Sequence, residues 1–160
     1  MLPPCSESCP DACATSGKTF CEFFAGIGLV REGLAGSRWE CVYANDNDPK
    51  KRELYEARFR DAHFHEGDVW KADEVLARIP GRPFLATASF PCTDVSLAGK
   101  YRGMEGAHSS AFYGFAKVLK ELGRHRPPVV MLENVVGLVT SKGGEDFVEV
   151  AKTLATSVTG

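Results

Sequence analysis

Two residues in this sequence have the chemistry of a nucleophile and its acid partner. Cys92 sits in "ASFPCTDVSLAGKY" (88–101), just past an apolar run. Proline cannot join the hydrogen-bond ladder of a central strand, so Pro91 turns the chain out of a sheet. The polar Thr93 and Asp94 keep it out. A cysteine at such an exit, near a helix N-terminus, is accessible and can have a lowered pKa, and its thiolate is the nucleophilic form. The alternative is an inert buried thiol, against which the proline and the polar residues argue. Glu133 comes after the apolar "PPVVML". A carboxyl group buried at a strand end has a raised pKa, which suits a proton donor. The alternative is a surface carboxylate, and the preceding apolar run makes burial the expectation.

A second constellation lies upstream. "FFAGIG" places Gly26 and Gly28 where a strand turns into a helix. Glycines there allow a tight turn and close approach of a ligand to the backbone. Alone the pattern is only half of a dinucleotide fingerprint, because Arg31 stands where the third glycine would be. Asp46 comes about twenty residues on, at the end of a second strand, where a carboxylate can hold both ribose hydroxyls of an adenosine. Its alternative is a helix N-cap, a role that Asp48, before Pro49, fills better. Asp68 in "EGDV" ends a third strand and can accept from an exocyclic adenine amine, or can cap a helix. Together these residues fit an adenosine-containing cofactor without a pyrophosphate.

These side chains need a scaffold of alternating elements. Strand-like runs ("KTFCEFFA", "WECVYAND", "AHFHEGDV", "RPFLATASF", "PPVVMLENVVGL") alternate with helical ones. The latter run from Gly28 to about Leu34, then "DPKKRELYEARF", "KADEVLARI", "SSAFYGFAKVLKELG" and "GGEDFVEVAKTLATS". Such alternation predicts βαβ units, an α/β fold with a parallel sheet. Buried parallel strands read as continuously apolar, and their ligands bind beyond the carboxyl ends. Cys92, Glu133, the glycine turn, Asp46 and Asp68 all cluster at those ends.

The chain has 160 residues, a length for one domain, and 44% hydrophobic and 25% charged residues, ordinary for a globular one. No apolar run reaches the roughly 20 residues of a membrane span. The first residues lack a signal-peptide core, so a cytoplasmic protein is expected. Net charge is −2, which argues against a stand-alone nucleic-acid binder with a general basic face. The local basic clusters at Lys50–Arg52, Lys100 with Arg102, and Arg124 with Arg126 read as solvated faces. Of six cysteines, Cys5, Cys9 and Cys13 lie in a Pro/Ser-rich head. Their spacing fits no common zinc motif, so residues 1–17 are expected to be disordered and no metal is assigned. Cys21 and Cys41 read as small core residues.

In order and spacing, "FFAGIG", "GDV", "SFPCTDVSLAGK" and "MLENVVGL" resemble the DNA cytosine-5 methyltransferase family, from about Thr19 to about Leu138. The resemblance implies a Rossmann-like, S-adenosylmethionine-dependent three-layer fold over 18–160. Phe24 would contact the adenine region of S-adenosylmethionine, and Ala25, Gly26, Ile27 and Gly28 the methionine part. Asp46 would hold the ribose. Asn47 would flank the adenine, and Asp68, with Val69 beside it, would read its amine. The target cytosine would be flipped out of double-stranded DNA. Cys92 would attack C6, Glu133 would act at N3, and Pro91 and Asn134 would shape the pocket. Ser96–Arg102 would form a loop that closes on DNA.

The sequence departs from the family at Leu29, where glycine is common, at Asn47, where a large residue is common, and at His108 and Ala111. The family's target-recognition domain and last cofactor motif have no counterpart before Gly160. The sheet is therefore expected to be incomplete at its C-terminal side. That leaves three readings: a catalytic portion alone, one half of a split enzyme completed by a C-terminal half or second subunit, or a non-catalytic remnant. A tRNA-acting relative is a further alternative, disfavoured by "PCTDVSLAG".

Overall fold

A computed structural model describes residues 17–60, 63–91 and 110–159. The expected disordered head, Cys92 itself and the Ser96–Arg102 loop lie outside them.

Five parallel strands form one sheet in the order β3-β2-β1-β4-β5. They are β1 (Thr19–Phe23), β2 (Glu40–Asp46), β3 (Phe64–Glu66), β4 (Leu85–Ala88) and β5 (Val129–Leu132). The helices are α1 (Leu29–Leu34), α2 (Pro49–Phe59), α3 (Ala72–Leu76), α4 (Ser110–Glu121), α5 (Gly137–Thr140) and α6 (Glu145–Thr159). The chain order reverses beside β1, between β2 and β4, which is where open α/β sheets bind ligands.

Alternation along each strand sends side chains to opposite faces. On one face Cys21, Phe23, Tyr43, Ala86 and Ala88 pack against Val75 of α3 and Phe115, Val118 and Leu119 of α4. On the other, Phe20, Cys41, Ala44 and Leu85 pack with Tyr55 of α2 and with Phe64. A register shift between Phe20 and Cys21 lets Cys41 and Tyr43 face opposite sides. Phe90, Phe112, Leu138 and Val150 form a third cluster joining α4, α5 and α6. Cys21 and Cys41 are buried core thiols, as expected.

Asp48 caps α2, its side chain accepting from Lys50 N–H at 2.9 Å, with Pro49 at the first helical position. This is the capping expected of Asp48 rather than Asp46.

Two expectations fail at β5. "PPVVMLENVVGL" is strand only through Leu132, and Gly137–Thr140 is a short helix. The strand is also not buried on both faces. Val130 and Leu132 pack on the core, while Val129 and Met131 are each 42% exposed. The reason is position. β5 is an outer strand, and α2 packs over β2 and β3 at the far side of the sheet. Among the described residues nothing covers that face of β5. Among them, too, no helix is long and apolar enough to cross a membrane.

Candidate active site

The site is built from the segments that leave the carboxyl ends of the strands. After β1, Phe24 takes a left-handed conformation (φ 55°), and Gly26 (φ 56°) and Gly28 (φ 86°) do the same. The backbone therefore doubles back before α1 begins. This turn is tied to β2: Gly26 N–H donates to Asp46 Oδ2 at 3.0 Å, and Ala25 N–H to the Asn45 carbonyl at 2.8 Å.

After β2, Asp46 is 4% exposed and fully engaged. Besides Gly26 N–H it accepts Asp48 N–H on Oδ1 at 3.1 Å and the Lys51 ammonium on both oxygens, at 3.3 and 3.2 Å. Beside it, buried Asn45 donates to the carbonyls of His65 (3.0 Å) and Gly67 (2.9 Å), fastening the β3 exit to β2. Asp68 Oδ1 accepts Trp70 N–H at 3.0 Å, which stabilises the turn into α3 and leaves Oδ2 for another donor. Both readings of Asp68, turn former and ligand acceptor, are compatible with this geometry. Tyr43 and His65 share a buried hydrogen bond (3.0 Å) beneath this turn, and burial pushes the His65 imidazole pKa down.

After β4 and β5 come the residues expected to do chemistry. Ala88 pairs with Leu132, and Glu133 N–H donates to the Ala88 carbonyl at 3.1 Å, so the two strand ends are level. Asn134 Nδ2 donates to the Phe90 carbonyl at 3.0 Å, fixing the segment that leads through Pro91 to Cys92. Glu133 is exposed rather than buried. It lies beyond the end of β5 on the same open face as Val129 and Met131, so the apolar run before it does not carry it into the core.

Two adjoining cavities occupy this edge. The first is lined by Phe24, Asp46, Asn47, Asp68, Val69 and Pro91 among others. The second, about 550 Å³, is lined by Ala25, Gly26, Ile27, Glu22 and Glu133 among others. Phe24, Lys51 and Ser89 line both. The volume is in the range of small-molecule sites.

The two glycines of the β1 turn serve different ends. Among the described residues a Cβ at Gly26 would meet nothing within 4 Å, consistent with an open face to a ligand. A Cβ at Gly28 would lie 2.3 Å from Phe59 Cε2 and 2.9 Å from Tyr55 Cε2. Gly28 is buried and lines neither cavity. The sequence reading assigned Gly28 to the cofactor; the close approach it permits is to the aromatic side chains of α2. Of the expected site residues, Asn134 and Gly28 support the cavities from outside, and Cys92 lies outside the described residues.

The sequence reading missed Glu22, an acid in the middle of the apolar central strand. It is 2% exposed, and burial pushes its carboxyl pKa up to about 7, against the opposing hydrogen bond from Arg31 N–H. Among the described residues its Oε2 is buried without a hydrogen-bond partner. An unpaired buried acceptor is costly, and here it sits at a cavity where a donor can arrive. An adenosine carrying a charged amino-acid chain fits this set. An aromatic ring and Asp68 lie at one end, the Asp46 carboxylate in the middle, and a glycine turn with an orphan acceptor at the other.

The family model for C-5 cytosine-specific DNA methylase matches residues 18–157. Type II methyltransferase M.HhaI of Haemophilus parahaemolyticus is 33% identical over 139 residues, covering 87% of this chain and 40% of that protein. Type II methyltransferase M.HpaII of Haemophilus parainfluenzae is 35% identical over 120 residues, covering 75% and 32%. In three dimensions the chain resembles a putative DNA modification methyltransferase encoded within an E. coli prophage (TM-score 0.66, 15% identity, 86% of this chain and 38% of that one). It also resembles the Dnmt2 methyltransferase of S. pombe (TM-score 0.62, 23% identity, 84% and 39%). The chain thus spans less than half the length of these relatives. The match of fold and sequence over nearly all the described residues places this chain in the C-5 cytosine-specific DNA methylase family.

Proposed function

We propose that the chain is the cofactor-binding and catalytic portion of a cytoplasmic DNA (cytosine-5-)-methyltransferase of restriction-modification type. The observation that carries this is the level alignment of the β4 and β5 ends, which brings Glu133 level with Ser89, two residues before Pro91, at an adenosine-compatible pair of cavities. Adjacent strands lie about 5 Å apart, within reach of one flipped base.

Phe24, Asn47, Asp68 and Val69 hold the adenine end of S-adenosylmethionine, Asp46 its ribose, and Ala25, Gly26 and Ile27 its amino-acid chain. The Cys92 thiolate bonds to C6 of a flipped cytosine, and Glu133 gives a proton or hydrogen bond to N3, so that negative charge does not build up on the ring. Bound S-adenosylmethionine would supply an electrophilic methyl group to C5 of that adduct. Loss of the C5 proton to water then expels the Cys92 thiolate, N3 returns its proton to Glu133, and the aromatic ring is restored. Exposure of Glu133 suits this order of events, because it leaves the carboxyl group accessible to a flipped base. β5 ends the sheet and one of its faces is exposed, which supports a second polypeptide or region that covers this side and reads the DNA site.

The test uses duplex DNA containing 5-fluorocytosine with S-adenosylmethionine. Fluorine cannot leave as the proton does, so a denaturation-stable adduct forms at Cys92. The chain is tested alone, where little turnover is expected, and with the target-recognition region of a relative added. Adduct formation should vanish in Cys92→Ser and slow strongly in Glu133→Gln. An adduct at Cys21 or Cys41, or full activity of Cys92→Ser, overturns the assignment.

A further inference from the structure

Lys51 is the residue of its basic cluster that lines both cavities. Its Nζ lies 3.3 Å from Asp46 Oδ1 and 3.2 Å from Oδ2, straddling the carboxylate. A carboxylate offers about four lone-pair directions. Backbone N–H groups of Asp48 and Gly26 take one on each oxygen. Lys51 covers the remaining direction on both. A ribose diol that uses both oxygens therefore cannot bind until the ammonium leaves.

The displaced ammonium has a place to go. Lys51 is the one cation among the described residues lining the second cavity, which otherwise carries the carboxyl groups of Glu22 and Glu133. A ligand chain ending in an α-carboxylate would enter a cavity of its own charge sign unless a cation turned toward it. The lysine stem is flexible and its head is a compact point charge, suited to such a swing. Its side chain is 44% exposed, so no core packing holds it at Asp46.

We propose that Lys51 is an exchanging ligand clamp: it occupies the ribose-binding carboxylate in the empty protein and transfers to the cofactor's α-carboxylate when the ribose takes Asp46. The inference rests on the assignment of S-adenosylmethionine as cofactor. It makes Lys51 a selector for adenosine ligands that carry a carboxylate over those that do not.

The experiment compares S-adenosylhomocysteine with 5′-methylthioadenosine, which keeps the adenosine and thioether but lacks the amino-acid end. Calorimetric affinities are measured for the intact 160-residue chain and its Lys51→Met and Lys51→Arg variants, with circular dichroism melts to verify folding. For Lys51→Met, S-adenosylhomocysteine should bind about fivefold more weakly and methylthioadenosine about fivefold more tightly, the scale of one partly exposed ion pair. Lys51→Arg should keep the wild-type preference. Equal shifts for both ligands, or none, overturn the clamp while leaving the cofactor assignment standing. Failure of the wild-type chain to bind either ligand overturns the cofactor assignment and the clamp with it.

Discussion

Asn134 Nδ2 donates to the Phe90 carbonyl at 3.0 Å, bridging the exits of two parallel strands that are 44 residues apart in sequence. The bond fixes the segment running into Pro91 from a residue that lines neither cavity. Asn134→Ala should therefore separate chemistry from binding. Adduct formation with 5-fluorocytosine DNA should slow by about tenfold to 100-fold, the range for small misplacement of a reacting group. Affinity for S-adenosylhomocysteine should stay within a factor of about two, because the lost contact is worth only about 1 kcal/mol and lies outside the cavities. Equal loss of both would mean that Asn134 supports the whole edge rather than the nucleophile segment.

Glu22 predicts a pH dependence of stability. Burial raises its pKa from 4.5 to about 7 in the folded protein. Between these values the folded state keeps a proton that the unfolded chain has released, so stability falls as pH rises through this window and levels off above it. The full penalty is on the order of 3 kcal/mol. His65, with its imidazole pKa pushed down by burial, acts in the opposite sense, losing stability as pH falls through 6.5 and below. Comparing wild type with Glu22→Gln cancels that contribution. The variant should melt several degrees higher at about pH 8, the gap closing toward about pH 4.5. A constant gap across that range would show that Glu22 does not titrate as described.

Gly28→Ala should be strongly destabilising, for two reasons that add. The backbone there has φ 86°, and a new Cβ would fall 2.3 Å from the Phe59 ring. The left-handed conformation costs about 1–2 kcal/mol and the overpacking about 1–3 kcal/mol. Gly26→Ala has the conformational cost without a clash. Thermal melts should order wild type above Gly26→Ala, and Gly26→Ala above Gly28→Ala.

Asn45→Ala would leave the His65 and Gly67 carbonyls without their side-chain donor. A cost of about 1–3 kcal/mol is expected. The β3 exit carrying Asp68 should loosen, so the preference for an adenine over a hypoxanthine ligand should shrink more than affinity for the ribose end. Titrations with adenosine and inosine homocysteine thioethers measure that ratio directly.

Much of this protein is legible in its order of residues because the signals are local. Strand–helix alternation, the Asp48–Pro49 cap, the left-handed glycine turn and the aspartates at strand exits each depend on neighbours within a few positions. Family membership is legible for the same reason, since short motifs in fixed order carry it. What only the tertiary structure decides is which face of an element is covered and which distant groups meet. "PPVVML" reads as buried on both sides, but its outer place in the sheet leaves Val129, Met131 and Glu133 open. Gly28 reads as a ligand contact, but α2 brings Phe59 and Tyr55 against it. Glu22 reads as one acid in an apolar strand, and burial gives it a shifted proton affinity. Lys51 reads as part of a solvated run, and only the fold lays it across Asp46. Burial and charge pairing are sums over neighbours brought together by folding, and no local pattern in the chain encodes them.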